Sequence, residues 1–342
     1  MGNSLEMPDY VQALTVRTSE LHPLFDKGWN IARQYFGNTL GCYAPGMVHY
    51  NTRHFTQDRP WRFPGISVTG RKCALNCAHC NHKLLDSMIP AKTPETLLKI
   101  VERIKEEGGQ GCLISGGAKK DGSVPLGKFT SVIKKAKEEF SLKIVVHTGL
   151  VVPDLVEKLA DIGIDAVMLD VVGSEETIRD VFRLKKGKED YERSLELLHQ
   201  AKIPTVPHIV VGLHYGKIKG EPYALQMVSK YKPAAVVIVA LMPLEGTEME
   251  HVAPPSPLEI TRIVLSARLL MPQTPLILGC ARPLGAHKER TDRLSIDAGL
   301  NGIAYPSETG VDYALKRGLN VDFSPVCCSL MFQTFFKNKI PP

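Results

Sequence analysis

Between residues 65 and 318, short β-branched runs alternate with amphipathic helical stretches eight times over. The candidate strands are 66–69, 111–115, 143–148, 166–171, 205–211, 235–242, 276–280 and 302–305. They are rich in Val and Ile and bounded by Gly or Pro, as strands buried on both faces should be. Helical patterns follow them at 126–140, 153–162, 188–201, 224–230, 257–270, 288–298 and 311–317. Another opens at Thr93-Pro94-Glu95, where a threonine cap and a proline at the first helical position precede the stripe Leu97, Ile100, Val101 and Ile104. Repeated strand–helix units predict a parallel sheet with helical crossovers, and about 250 residues is the usual size of a (β/α)8 TIM-type barrel. The strand count disfavours an open, doubly wound sheet. Residues 1–64 are expected to form an N-terminal helical arm with a helix at 23–35, and 319–342 a C-terminal tail.

Directly after the first barrel strand stands Cys73-Ala74-Leu75-Asn76-Cys77-Ala78-His79-Cys80. Loops in this position form the active face of such a barrel. Three thiolates within eight residues can wrap three corners of an iron–sulfur cube, and no fourth cysteine lies nearby to complete the set. One iron is thereby left for an exogenous ligand. The competing reading is a zinc site using His79 or His82, but zinc knuckles normally come in pairs and no second one exists.

Other rim positions are candidates. Ser115-Gly116-Gly117 ends the second strand, where glycines let backbone approach a ligand closely; an ordinary turn is the alternative. Asp170 ends the fourth and is able to accept hydrogen bonds from ribose hydroxyls or to serve as a plain rim residue. His147 and His208 point into the cavity or pack structurally. Arg282 is a candidate contact for a carboxylate or a cluster, with a rim salt bridge as the alternative. Of the five further cysteines, Cys112, Cys280, Cys327 and Cys328 are candidate ligands of a second cluster, although buried packing is the default for any single cysteine, Cys42 included.

The spacing Cys-x3-Cys-x2-Cys resembles the signature of the radical S-adenosylmethionine (SAM) superfamily. That resemblance implies a 4Fe–4S cluster, SAM as ligand of the open iron, and reductive cleavage to a 5′-deoxyadenosyl radical. Ser115-Gly116-Gly117 is similar to the element that meets the SAM amino group, with Ala118 in place of its glutamate, and the strand around His208 to the one beside adenine. The order Asp170, Gly212-Leu213, Glu245-Gly246-Thr247, Ala298-Gly299-Leu300 resembles the biotin synthase branch. Arg282 falls where that enzyme has the arginine on its auxiliary cluster, but His147 and Val206 replace its strand cysteines, which argues against biotin synthase itself. Phe63-Pro64-Gly65-Ile66, Cys80-Asn81-His82-Lys83 and Gly279-Cys280-Ala281-Arg282-Pro283 resemble a subunit of the two-component lipoyl synthases.

That likeness implies sulfur insertion into a protein-bound octanoyl chain, with an octanoylated lipoyl carrier, a second radical SAM subunit and an electron donor such as ferredoxin or flavodoxin as partners. Maturase- or mutase-like chemistry without a second cluster, and a non-catalytic scaffold, remain alternatives. The net charge of +6 reads as a solvated surface that would assist docking of an acidic carrier. The N-terminus has no secretory pattern and no apolar stretch reaches about 20 residues, so a cytoplasmic protein with neither membrane nor nucleic-acid partners is expected.

Overall fold

The computed structural model describes residues 7–57 and 60–334. Its strands are β1 (Thr39–Tyr43), a hairpin of β2 (Asn51–Thr52) and β3 (Phe55–Thr56), then β4 (Gly65–Ser67), β5 (Ile89–Pro90), β6 (Gly111–Ser115), β7 (Lys143–His147), β8 (Ala166–Asp170), β9 (Thr205–Val211), β10 (Val236–Ala240), β11 (Leu276–Leu278), β12 (Gly302–Ala304) and β13 (Asn320–Ser324). The helices are α1 (Asp9–Thr15), α2 (His22–Phe36), α3 (Pro94–Glu106), α4 (Thr130–Glu138), α5 (Pro153–Ile162), α6 (Glu175–Asp180), α7 (Lys188–Gln200), α8 (Glu221–Ser229), α9 (Pro257–Leu270), α10 (Ala286–Asp297), α11 (Glu308–Lys316) and α12 (Met331–Thr334). Local chemistry sets their ends. Thr93 Oγ1 accepts the Thr96 amide at 3.2 Å to open α3, and Ser256 and Glu259 cap each other's amides at the start of α9.

Eleven strands form one sheet in the order β13-β1-β12-β11-β10-β9-β8-β7-β6-β4-β5. All its pairings are parallel. The eight expected strands are all present, in a TIM-type α/β fold. The sheet curls without closing among the described residues, because β13 and β5 at its ends pair only inward. The boundaries at 64 and 318 do not mark where the sheet stops. Arm residues supply β1 and tail residues supply β13, each side of β1 being hydrogen-bonded to strands made some 260 or more residues later.

Each strand divides its side chains between two cores. Ile114, Ile144, Val146, Val167, Leu169, Ile209, Val211, Ile238 and Leu278 face the helices. Their neighbours Val145, Ala166, Met168, Val206, Val237, Val239 and Ile277 face the lumen. This is the alternation of a pleated strand, with both faces apolar because both are covered.

The lumen is filled from the tail. After β13 the chain turns inward, and Val326, Cys327, Cys328, Leu330 and Met331 join the lumen core. Met331 Cε occupies the place a side chain on Gly302 would need, and the Ser329 hydroxyl donates to Met168 Sδ. Gln333 reaches the carbonyl of Asp165, just before β8 begins, and Thr334 Oγ1 meets the Tyr43 hydroxyl at 3.0 Å. A tail with Phe332 and Phe335 is able either to close the mouth or to trail free in solvent. It does neither, and runs down the lumen as a plug toward the N-terminal end, because its apolar Leu330 and Met331 find an enclosed seat there, Phe335 lying outside the described residues.

Candidate active site

The cysteine loop leaves the C-terminal end of β4 and is fastened to two neighbouring loops. Ala74 N donates to the carbonyl of Ala118 at 2.8 Å, and Ala78 N to that of Val181 at 2.8 Å. The thiols of Cys73 and Cys77 lie 3.8 Å from the carbonyls of Ala118 and Phe182. Gly117 is required here: a Cβ on it would lie 2.6 Å from Cys73 Cα and Cβ and would strike the Lys72 carbonyl. Its amide donates to Thr69 Oγ1 at 2.7 Å. The Gly116-Gly117 pair therefore makes room for the cysteine loop itself, while Ser115 Oγ donates to the His147 carbonyl at 3.0 Å.

Cys77, His79 and Cys80 bring their ligand atoms within 4.8 Å of one another. The hydrogen bond from the Cys77 thiol, with help from His79, pulls Cys80 down to about 4, and the same bond pushes Cys77 up. His79 Nδ1 is buried without a hydrogen-bond partner, and its ring packs edge-on to Phe182 with centroids 5.3 Å apart. Two of the three loop thiols, Cys77 and Cys80, converge with His79 while Cys73 stands outside that group. Three thiols on one short loop fit an iron–sulfur cluster held by Cys73, Cys77 and Cys80.

On the rim beside the cysteine loop sits Asp170, the last residue of β8. Its Oδ1 lies 3.6 Å from His147 Nε2, and 37 % of its side chain stays accessible to water. Burial alone would raise this carboxyl; the His147 hydrogen bond and the imidazoles of His147, His208 and His79 outweigh it and hold it down to about 2. His208 stacks edge-on to His147 at 5.8 Å and donates from Nδ1 to the Val206 carbonyl at 3.1 Å. Burial, then the His147 charge, lowers it to about 4, so His208 is neutral at pH 7.

The remaining thiols separate into two groups. Cys112 is fully buried in the helix-facing core, as is Cys42, with burial pushing both thiols up. Cys112 thus points away from the lumen and cannot join a lumen cluster, because it occupies the outward register of β6 between Gly111 and Leu113. Cys280, Cys327 and Cys328 approach one another, but their sulfurs do not all come within 4.8 Å as the ligand atoms of Cys77, His79 and Cys80 do. Cys327 and Cys328 belong to the lumen core, and each lies near enough to Cys280 for their charges to affect one another. Cys280 is exposed to water, and the protein around it pushes its thiol up. A hydrogen bond from Cys328 lowers Cys327 to about 7, and His147 lies close enough to add to the effect. Tyr305, unremarked in the sequence, borders all three.

Arg282 is not free to reach into the lumen. Its Nε pairs with Asp292 at 2.9 Å, Nη1 donates to the carbonyls of Gly279 and Ala304, and Nη2 to that of Tyr305. The side chain is 1 % exposed and fastens β11 to β12, with a field that lowers Cys280. Its carboxylate partner is internal, ten residues along the chain.

A parallel barrel with a three-cysteine loop at the C-terminal end of an early strand defines a class: barrel proteins that carry a cluster at the mouth. Residues 67–217 match the radical SAM superfamily, and residues 238–331 the biotin and thiamin synthesis associated domain. Biotin synthase of Synechococcus sp. (strain WH7803) is 26 % identical over 252 residues, 70 % of this chain and 74 % of that one. Biotin synthase of Prochlorococcus marinus subsp. pastoris is 25 % identical over 265 residues, 75 % and 77 % of the two chains. Among solved structures, methylornithine synthase superposes with a TM-score of 0.64 at 16 % identity, covering 97 % of each chain. HydG, a maturase of the [FeFe]-hydrogenase, gives 0.65 at 17 %, covering 96 % of this chain and 75 % of that one. The chain belongs to the radical SAM superfamily, on its biotin synthase-like branch, and is a radical SAM enzyme. The family implies a 4Fe–4S cluster and SAM. Among the described residues, no helix is long and apolar enough to cross a membrane.

Proposed function

We propose that this enzyme inserts sulfur into an octanoyl chain carried on a protein lysine, as one of the two subunits of a lipoyl synthase. The supporting observation is the approach of Cys280, Cys327 and Cys328 to one another, with His147 near Cys327 and 3.6 Å from Asp170. Three soft donors without a carboxylate among them suit a second iron–sulfur cluster. When bound, the triad's cluster with SAM supplies a carbon-centred radical, and a cluster on the second thiol group supplies sulfide.

The protein's part is positioning and exclusion of water. Asp170, ionised across the working pH range, is placed to accept hydrogen bonds from ribose hydroxyls, with His147 holding its carboxylate. Neutral His208 offers an uncharged wall beside it. The tail plug seals the lumen's lower half.

Anaerobic reconstitution tests this. The parent should hold about eight irons per chain, and the triple variant Cys280→Ser, Cys327→Ser, Cys328→Ser about four, with reductive SAM cleavage retained. Mass spectrometry should then find sulfur added to an octanoylated lipoyl carrier by the parent only, with a second radical SAM subunit and an electron donor such as ferredoxin or flavodoxin supplied. About four irons in the parent would leave single-cluster chemistry of the maturase or mutase kind. No SAM cleavage under strong reductant would leave a scaffold.

A further inference from the structure

The charge that is scattered along the sequence is gathered in space. Loops 68–93, 116–128, 171–188 and 212–220 leave the C-terminal ends of β4, β6, β8 and β9, strands that are neighbours in the sheet apart from β7. They carry fourteen lysines and arginines against five acids, a net of +9, so the rest of this +6 chain nets −3. The intervening loop after β7, 148–152, is uncharged, and the loop after β10, 241–256, holds three glutamates and no lysine or arginine.

These loops form one continuous surface around the cysteine loop. Lys128 Nζ donates to the carbonyl of Lys92 at 3.2 Å, Lys219 pairs with Glu176 at 3.5 Å, and the Ala118 and Val181 carbonyls hold the cysteine loop between them. Many of the cations are unspent. Lys72, Lys83, Lys92, Lys120, Lys185 and Lys217 are exposed and have no carboxylate partner among the described residues. Leu84, Val152 and Tyr215, exposed by 50, 41 and 37 %, rise among them. Bare cations around exposed apolar anchors are the makings of a protein interface, since a solvated face needs no such anchors.

The geometry points to this half of the rim as the docking surface for the substrate-bearing carrier domain, which meets it with an acidic face and passes its acyl-lysine arm into the lumen. The inference rests on the reading that the substrate chain is protein-borne. The acidic loop after β10 sets the carrier's orientation by repelling its negative face from the far side of the mouth. Close to the cysteine loop, the surface also keeps the arm's path to the lumen short.

The test uses the reconstituted enzyme with Lys120→Glu, Lys185→Glu and Lys217→Glu combined, exposed positions on three loops, none of them on the cysteine loop. Calorimetry against a lipoyl carrier domain bearing octanoyl-lysine should show affinity lost by about tenfold or more, with the parent's salt dependence flattened. The KM for that carrier should rise accordingly, while kcat on a short octanoyl-lysyl peptide and dithionite-driven SAM cleavage stay unchanged. Unaltered carrier affinity would overturn the docking surface. A variant slowed only with a protein reductant, and not with dithionite, would overturn it in favour of an electron-donor site. A parent that binds the carrier but never adds sulfur retires the sulfur-insertion reading alone. One that adds sulfur regardless of the charge reversal retires the docking surface alone.

Discussion

The two thiol groups of this barrel are built in opposite ways. Cys73, Cys77 and Cys80 lie on one short loop, pinned by the Ala118 and Val181 carbonyls and by the missing side chain of Gly117. Cys280, Cys327 and Cys328 come from a strand end and a tail that meet only because the chain turns back into its own lumen. A loop of eight residues keeps its thiols together through local geometry. The second group exists only while the whole barrel does. Anything that loosens global packing should therefore dissolve it before touching the first.

The sharpest break in the comparison is chemical. Cys80→Ala should reduce SAM cleavage to background in an assay of 5′-deoxyadenosine, with the exposed Cys280 still reactive toward a maleimide probe in the iron-free protein and Cys327 and Cys328 still shielded. Next come two glycines that support one group each. Gly302→Ala puts a methyl where Met331 sits and should cost about 2–3 kcal/mol by denaturant titration, expelling the tail and exposing Cys327 and Cys328 to the probe. Gly117→Ala should cost a similar about 1–3 kcal/mol and lower iron uptake at the mouth, leaving the tail in place.

A smaller effect is set by pH. His208 is held at about 4 when folded, against about 6.5 unfolded, so between those values the unfolded chain binds the extra proton. Stability should rise with pH through this window, be complete above its upper end, and fade as pH drops. Roughly 1–2 kcal/mol is expected, because lumen water still reaches the ring. His208→Phe, compared by thermal melts at pH 4.5 and 7, should flatten that slope. Smallest is Cys112→Ala, which should cost about 1 kcal/mol of core packing and leave every iron in place. A loss of iron there would mean the sheet's two faces had been assigned the wrong way round.

What could be read from the sequence follows from this same contrast. The eight strands and the helix cap at Thr93 are local signals, and each appears where its residues put it. The facing of Cys112 could not be read, because a strand buried on both sides has no polar half to mark its inner face. Strand β1 was hidden for a different reason. Thr39-Leu40-Gly41-Cys42-Tyr43 is short and carries a glycine, and it becomes a strand by lying between β12 and β13. Arg282 was rightly expected to need an anion, but its partner Asp292 belongs to the helix that follows, so the demand is met internally.

The plug inside the barrel also sets a timetable for making the molecule. On the ribosome, residues 73–80 emerge early and can fold back on β6 as soon as residue 118 is out. Strand β1 must wait, both edges bare, until β12 and β13 have been synthesised. Only afterwards can Cys327 and Cys328 enter the lumen. For most of its birth the chain is therefore a half-wound sheet with one thiol group assembled and the other absent, and the residues that close its interior, 326–331, follow both ends of the sheet.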